Sequence, residues 1–191
     1  MVSLLGWGAV AILARVSIKT LTSKVMYRNA WLSVREDQIE RADGSRGLYS
    51  VVDIPDFALI IPADSDGFHL VEQYRYPTQT RSWEFPSGSF PAGVTGTPEE
   101  MAAAELAEET GFTAGKMRKL GYLHCANGMT GEGVHVFLAT DLVPGQPNRE
   151  VAEQDMRQRW FPRDEVEQML REGVITDSPS AAAYLLLSLH A

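Results

Sequence analysis

The chain has 191 residues, 45% apolar and 22% charged, which suits one domain with a single core and excludes disordered, collagen-like and low-complexity classes. Seventeen lysines and arginines against 25 aspartates and glutamates leave a net charge of −8, with no basic run. That balance argues against nonspecific nucleic-acid binding, and a small phosphate ligand would need local positive charge from a metal or a few arginines. The lone cysteine, Cys125, excludes an intrachain disulfide and fits a reducing, cytoplasmic compartment; a small buried hydrophobe is expected there.

The N-terminal stretch 1–24 is apolar at first, with no charge from Met1 to Ala14. It is shorter than the ~20 residues a membrane helix needs and lacks the basic start of a secretory signal. A docked or disordered segment is expected, and no membrane partner.

From Val25 short strands and turns follow. Trp31 to Glu40 alternates loosely, Asp43-Gly44 signals a hairpin, and Gly47 to Ile54 resumes as strand, so residues 25–56 read as an antiparallel β-hairpin set apart from the rest. Phe57 to Pro62 is a continuous apolar run, predicting a strand buried on both faces. Asp66-Gly67 turns the chain and Phe68 to Tyr74 returns.

A helix comes next. Thr97 suits the N-cap, Pro98 the first helical position and Glu100 a capping box, and Gly111 supplies the stop after Thr110. Strands are predicted at Lys119–His124, Gly133–Thr140 and Arg157–Phe161, then helices at Arg163–Arg171 and Ser178–Leu189. The order predicts an α+β fold, or a mixed α/β sandwich, over residues 57–191.

The first helix carries Glu105, Glu108 and Glu109 at i, i+3 and i+4, on one face. No lysine or arginine offsets them between Pro98 and Ala114. A solvated acidic face is one reading. A site for a hard divalent cation, Mg2+ or Mn2+, is the other.

The flanking residues favour the second. Trp83-Glu-Phe-Pro-Ser-Gly88, a loop and Ala104-Glu-Leu-Ala-Glu-Glu-Thr-Gly-Phe112 together resemble the Nudix box. Glu105, Leu106, Glu108, Glu109, Gly111 and Phe112 fill its slots. Gly88 fills the glycine slot if two residues are inserted before the helix. Ala104 replaces the box arginine and Gly96 its first glutamate.

The resemblance extends from about Val25 to Leu189. Gln73-Tyr-Arg-Tyr-Pro77 before Trp83 to Gly88 is similar to the ADP-ribose pyrophosphatase branch, as are Val136 to Leu142 and Gly173 to Asp177. It implies a Nudix-type α/β/α sandwich with a mixed sheet. It also implies a metal-dependent hydrolase cleaving the pyrophosphate linkage of a nucleoside diphosphate sugar. Metal would be held by Glu105, Glu108, Glu109 and the Ser87 carbonyl. Glu132, in the loop Asn127 to Glu132, would be the general base, with Glu108 sharing the catalytic face.

For substrate binding, Arg75 and Arg81 suit phosphates as bidentate donors. Trp31 suits a base platform, and Glu84 lies beside them in the Glu-Phe-Pro-Ser-Gly stretch. Branch members are usually homodimers through an N-terminal sheet. Ala104, Gly96 and Ala126-Asn127-Gly128, where Ser-Pro-Gly is common, leave another diphosphate substrate open. They also leave open a weakened Nudix fold that binds nucleotides without turning them over. The four histidines show no metal-ligand spacing.

Overall fold

The computed structural model describes residues 18–90, 95–149 and 151–190. The uncharged stretch Met1 to Ala14 lies outside them.

The N-terminal unit is a three-stranded antiparallel sheet, β1 (Lys19–Arg28), β2 (Ser33–Glu40) and β3 (Arg46–Asp53), in that order. The expected hairpin corresponds to β2 and β3. β1 starts upstream of Val25 and is exposed along almost its whole length, so no alternation marks it in the sequence.

The body is a mixed sheet in the order β10–β5–β4–β9–β8. Its strands are β4 (Phe57–Asp64), β5 (Gly67–Arg75), β8 (Thr113–His124), β9 (Gly133–Val143) and β10 (Arg157–Pro162). The short β6 (Thr80–Glu84) pairs with β5, and β7 (Ser87–Gly88) pairs with β4. β4 and β9 run parallel, while the other pairs are antiparallel.

β4 is buried on both faces, as its apolar run predicts. Ala58 and Ile60 pack with Ala102 and Leu106 of α1 (Pro98–Thr110). Leu59 and Ile61 point to the opposite layer. There they meet Val166 and Met169 of α2 (Arg163–Arg171), and Ala183 and Leu187 of α3 (Ser178–Leu189). The period of two along β4 thus divides the core between one helix on one face and two on the other. Burying such a side chain fully contributes about 1.5–3 kcal/mol.

Helix ends follow local chemistry. The Thr97 hydroxyl accepts from the Glu100 N–H at 3.2 Å, and the Glu100 carboxylate accepts from the Thr97 N–H at 2.7 Å. Gly111 ends α1 at φ 79°, a left-handed conformation that side chains disfavour. Asp177 caps α3 by accepting from the Ser180 N–H at 2.8 Å.

Candidate active site

α1 brings the box carboxylates against β7. Glu109 is 1% exposed. Its Oε2 accepts from the Ser87 N–H at 3.2 Å, whereas its Oε1 is buried without a hydrogen-bond partner. Burial pushes the carboxyl of Glu109 well above the usual range, and the charges of Glu153 and Glu105 push it further; the Ser87 N–H and Arg75 pull the other way. Glu105 is fitted to a glycine. A β-carbon on Gly88 would lie 2.5 Å from both of its carboxylate oxygens. Gly88 therefore packs directly against the Glu105 carboxylate. Glu108 is half-buried on the same helix.

Among the described residues, no three His, Cys, Asp or Glu side chains stand in a ready-made metal cluster. The donors nonetheless fit a hard cation. They are oxygen atoms, one is a buried carboxylate oxygen lacking a partner, and a bound divalent ion would offset the repulsion between their like charges.

The loop between β9 and β10 crosses the C-terminal end of α1. The Asn148 N–H donates to the Glu108 carbonyl at 2.9 Å, and Arg149 Nε donates to the Glu109 carbonyl at 2.9 Å. The short 3-10 turn Val151–Glu153 in this loop carries the Glu153 charge felt by Glu109. No local pattern in the sequence marks Arg149 or Glu153.

Glu132 lies in the loop between β8 and β9. It is pushed up by partial burial and then by Asp56, which sits just before β4. The Glu132 carbonyl accepts from the Cys125 N–H at 3.2 Å. Cys125 is exposed, not the buried hydrophobe expected, because its loop projects beyond β8. Partial desolvation and then Glu132, Asp177 and Asp56 push its thiol up to about 11, so it is a poor nucleophile at neutral pH.

The expected phosphate arginines are both engaged. Arg75 forms a bidentate ion pair with the buried Glu84 and lies in electrostatic reach of Asp177 and Glu109. Burial pushes the Glu84 carboxyl up, and Arg75 opposes that shift. Arg81 is held by Glu72 at 3.0 Å and by Asp155 at 2.6 Å, with a further bond to the Asp155 carbonyl at 3.0 Å. Its alternation along β6 turns it away from the face of Glu84, toward the loop before β10.

Trp31 is not core. It is 78% exposed at the tip between β1 and β2. The Asn29 side chain shapes that tip, accepting from the N–H groups of Trp31 at 2.8 Å and Leu32 at 2.9 Å. The N-terminal sheet is tied to the loop that carries Glu132. Tyr49 donates its hydroxyl to the Gly128 carbonyl at 2.9 Å, and the Val52 N–H donates to Met129 at 3.0 Å.

Comparison with known proteins agrees with this geometry. Residues 54–183 match the NUDIX domain, and residues 18–52 match the nucleoside diphosphate sugar hydrolase N-terminal domain. An ADP-ribose pyrophosphatase from Mycobacterium tuberculosis is 32% identical over 182 residues, covering 94% of this chain and 86% of that protein. An ADP-ribose pyrophosphatase from Bacillus subtilis is 29% identical, covering 72% and 74% respectively. A crystal structure of an ADP compounds hydrolase superposes with TM-score 0.79 at 21% identity, over 90% of this chain and 92% of that one, and so shares the fold. A box helix backed by β4 and β7, its carboxylates facing Ser87 and Gly88, and a match over most of the chain lead to one family: this protein belongs to the Nudix family and is a Nudix hydrolase similar to the ADP-ribose pyrophosphatases.

Proposed function

We propose that the protein hydrolyses the pyrophosphate linkage of a nucleoside diphosphate sugar such as ADP-ribose, using Mg2+ or Mn2+. The supporting observation is Glu109, a buried carboxylate with one oxygen bonded to Ser87 and the other lacking a partner, beside like charges. Glu105, Glu108, Glu109 and the Ser87 backbone would hold the cation. Bound there, it neutralises the pyrophosphate and polarises a phosphoryl oxygen. The Ser87 N–H fixes the orientation of Glu109. Arg75, already restrained by Glu84, adds positive charge beside it, and Trp31 is free to stack on a base.

Two carboxylates are candidates for the general base. The Glu132 loop is suggested by sequence. Glu153 is the other, on the turn of the loop that Asn148 and Arg149 bond to the last carbonyls of α1.

A homodimer and a cytoplasmic site of action belong to the same reading. Met26, Tyr27 and Leu48 of the N-terminal sheet are each more than half exposed, an apolar surface suited to a second copy. No helix among the described residues is long and apolar enough to cross a membrane.

The test is phosphate release from ADP-ribose and a panel of diphosphate sugars and dinucleotides, coupled to alkaline phosphatase, with Mg2+ and with EDTA. Turnover that needs the cation supports the reading, and full turnover in EDTA overturns it. Nucleotide binding without turnover on any substrate would favour the weakened fold that Ala104 and Gly96 suggest.

A further inference from the structure

We propose that Arg149 is a positioning residue: its guanidinium ties the loop between β9 and β10 to the last glutamate of α1 and so fixes where Glu153 stands. The inference rests on the hydrolase reading and on Glu153 belonging to its site.

An α-helix leaves its last four carbonyls without partners inside the helix. α1 also has no basic side chain in its last turn, where the helix dipole favours positive charge. Both deficits are met from 40 residues away. Arg149 Nε donates to the Glu109 carbonyl at 2.9 Å, and the preceding Asn148 N–H donates to the Glu108 carbonyl at 2.9 Å. Successive loop residues thus read successive carbonyls of the metal-binding helix.

The same guanidinium reaches the other end of the turn. Nη1 donates to the Met156 carbonyl at 2.6 Å, and the Met156 N–H donates to the Glu153 carbonyl at 2.9 Å. Gln154 donates to the Arg149 carbonyl at 2.8 Å, and Arg81 holds Asp155. The turn bearing Glu153 is therefore fixed on both sides to a rigid frame. A planar fork makes two such bonds at once, which a single ammonium on a flexible stem does poorly. Arg149 and Arg81 occupy the loop's own acceptors, so neither needs a phosphate to be satisfied.

The experiment compares wild type, Arg149→Ala, Glu153→Gln and the double variant. Each is assayed with Mg2+ and ADP-ribose, and each is titrated with Mn2+ by electron paramagnetic resonance. Arg149→Ala is expected to lower kcat about 10–100-fold, the scale for groups that support a metal site. KM should stay within about two-fold, since Arg149 is assigned no substrate contact. Mn2+ affinity should fall as well, because the same guanidinium holds the backbone of Glu109. In kcat the double variant should be no worse than Glu153→Gln alone, because there Arg149 acts through Glu153.

Hydrogen exchange should show lost protection at the Met156 amide and unchanged protection in β4. If Arg149→Ala does not fold, Arg149→Lys carries the test, with an intermediate kcat expected. Wild-type kcat and Mn2+ affinity in either variant overturn the proposal, as do losses in kcat that multiply in the double variant. A wild type inactive on every substrate refutes the hydrolase reading instead, and the Mn2+ cycle then decides the role of Arg149 alone.

Discussion

Gly88 and Glu105 compete for one volume: a β-carbon on the first would sit 2.5 Å from both carboxylate oxygens of the second. Gly88→Ala should therefore fold, because the displaced group is the end of a flexible side chain. Its carboxylate must leave the face shared with Glu109. Divalent-metal affinity is expected to fall roughly 10–100-fold, the scale for disturbed support of a metal ligand. Calorimetric titration with Mn2+ checks this, and unchanged affinity would separate Gly88 from the site.

Glu109 should oppose stability when metal is absent. Its folded carboxyl is raised, so the native state holds its proton more tightly than the unfolded chain. The sign follows by linkage: ionisation at neutral pH disfavours the fold, and the penalty is relieved as pH falls through the folded value. Glu109→Gln removes the charge, so its melting temperature in EDTA should exceed that of wild type at pH 7.5. Saturating Mg2+ should reverse the order. A cation at about 100 times its Kd adds about 2.7 kcal/mol, or roughly 5–11 °C for a domain of this size. Glu109→Gln should lose that gain together with turnover. Thermal scans with and without metal read both effects.

Glu153→Gln and Glu132→Gln distinguish the two candidate bases. Loss of a general base costs about 10²-fold or more in turnover. The larger loss is expected for Glu153, on the loop bonded to the end of α1, and a smaller one for Glu132. KM should change little in either case. A full loss confined to Glu132→Gln would return the role to the loop before β9.

Light scattering at micromolar concentration is expected to give about twice the chain mass of 21.1 kDa. Tyr27→Asp combined with Leu48→Asp, which charges the exposed N-terminal sheet, should shift it to the monomer. A monomer in the unmodified protein would leave that apolar surface without the second copy proposed for it.

The helices were legible in the sequence because their ends are written locally. Thr97, Pro98, Glu100 and Gly111 specify α1 within a few residues of its termini. β4 was legible because it is buried on both faces. Strands with wet faces were not. β8 begins at Thr113, well before the apolar pattern at Lys119, since that first half lies exposed and carries Lys116 and Arg118. β1 escaped for the same reason. In the site, Glu105, Glu108 and Glu109 share a helix face and could be read from spacing. Arg149 and Glu153 reach that helix by long-range contact, and the arginine's acceptors are backbone carbonyls that no residue type announces. The one hint was indirect: a helix end with no cation of its own.

The contact between Gly111 and Gly145 bears on how this chain can change in length. A β-carbon on either would fall within 2.8 Å of the other's carbonyl oxygen, so the exit of α1 is pressed against the loop after β9 with no slack. An insertion there would have to push the two segments apart. The entry to α1 is also close-packed, but against a side chain rather than backbone: a β-carbon on Gly96 would meet the Phe90 ring at 2.6 Å, and the two residues beyond the usual box spacing fall between Gly88 and Thr97. Growth and loss of residues in relatives should therefore collect ahead of the helix, leaving the register of Glu105, Glu108 and Glu109 against Ser87 untouched. An additional residue placed before Thr97 should be tolerated, whereas one placed after Thr110 should uncouple the helix from its loop.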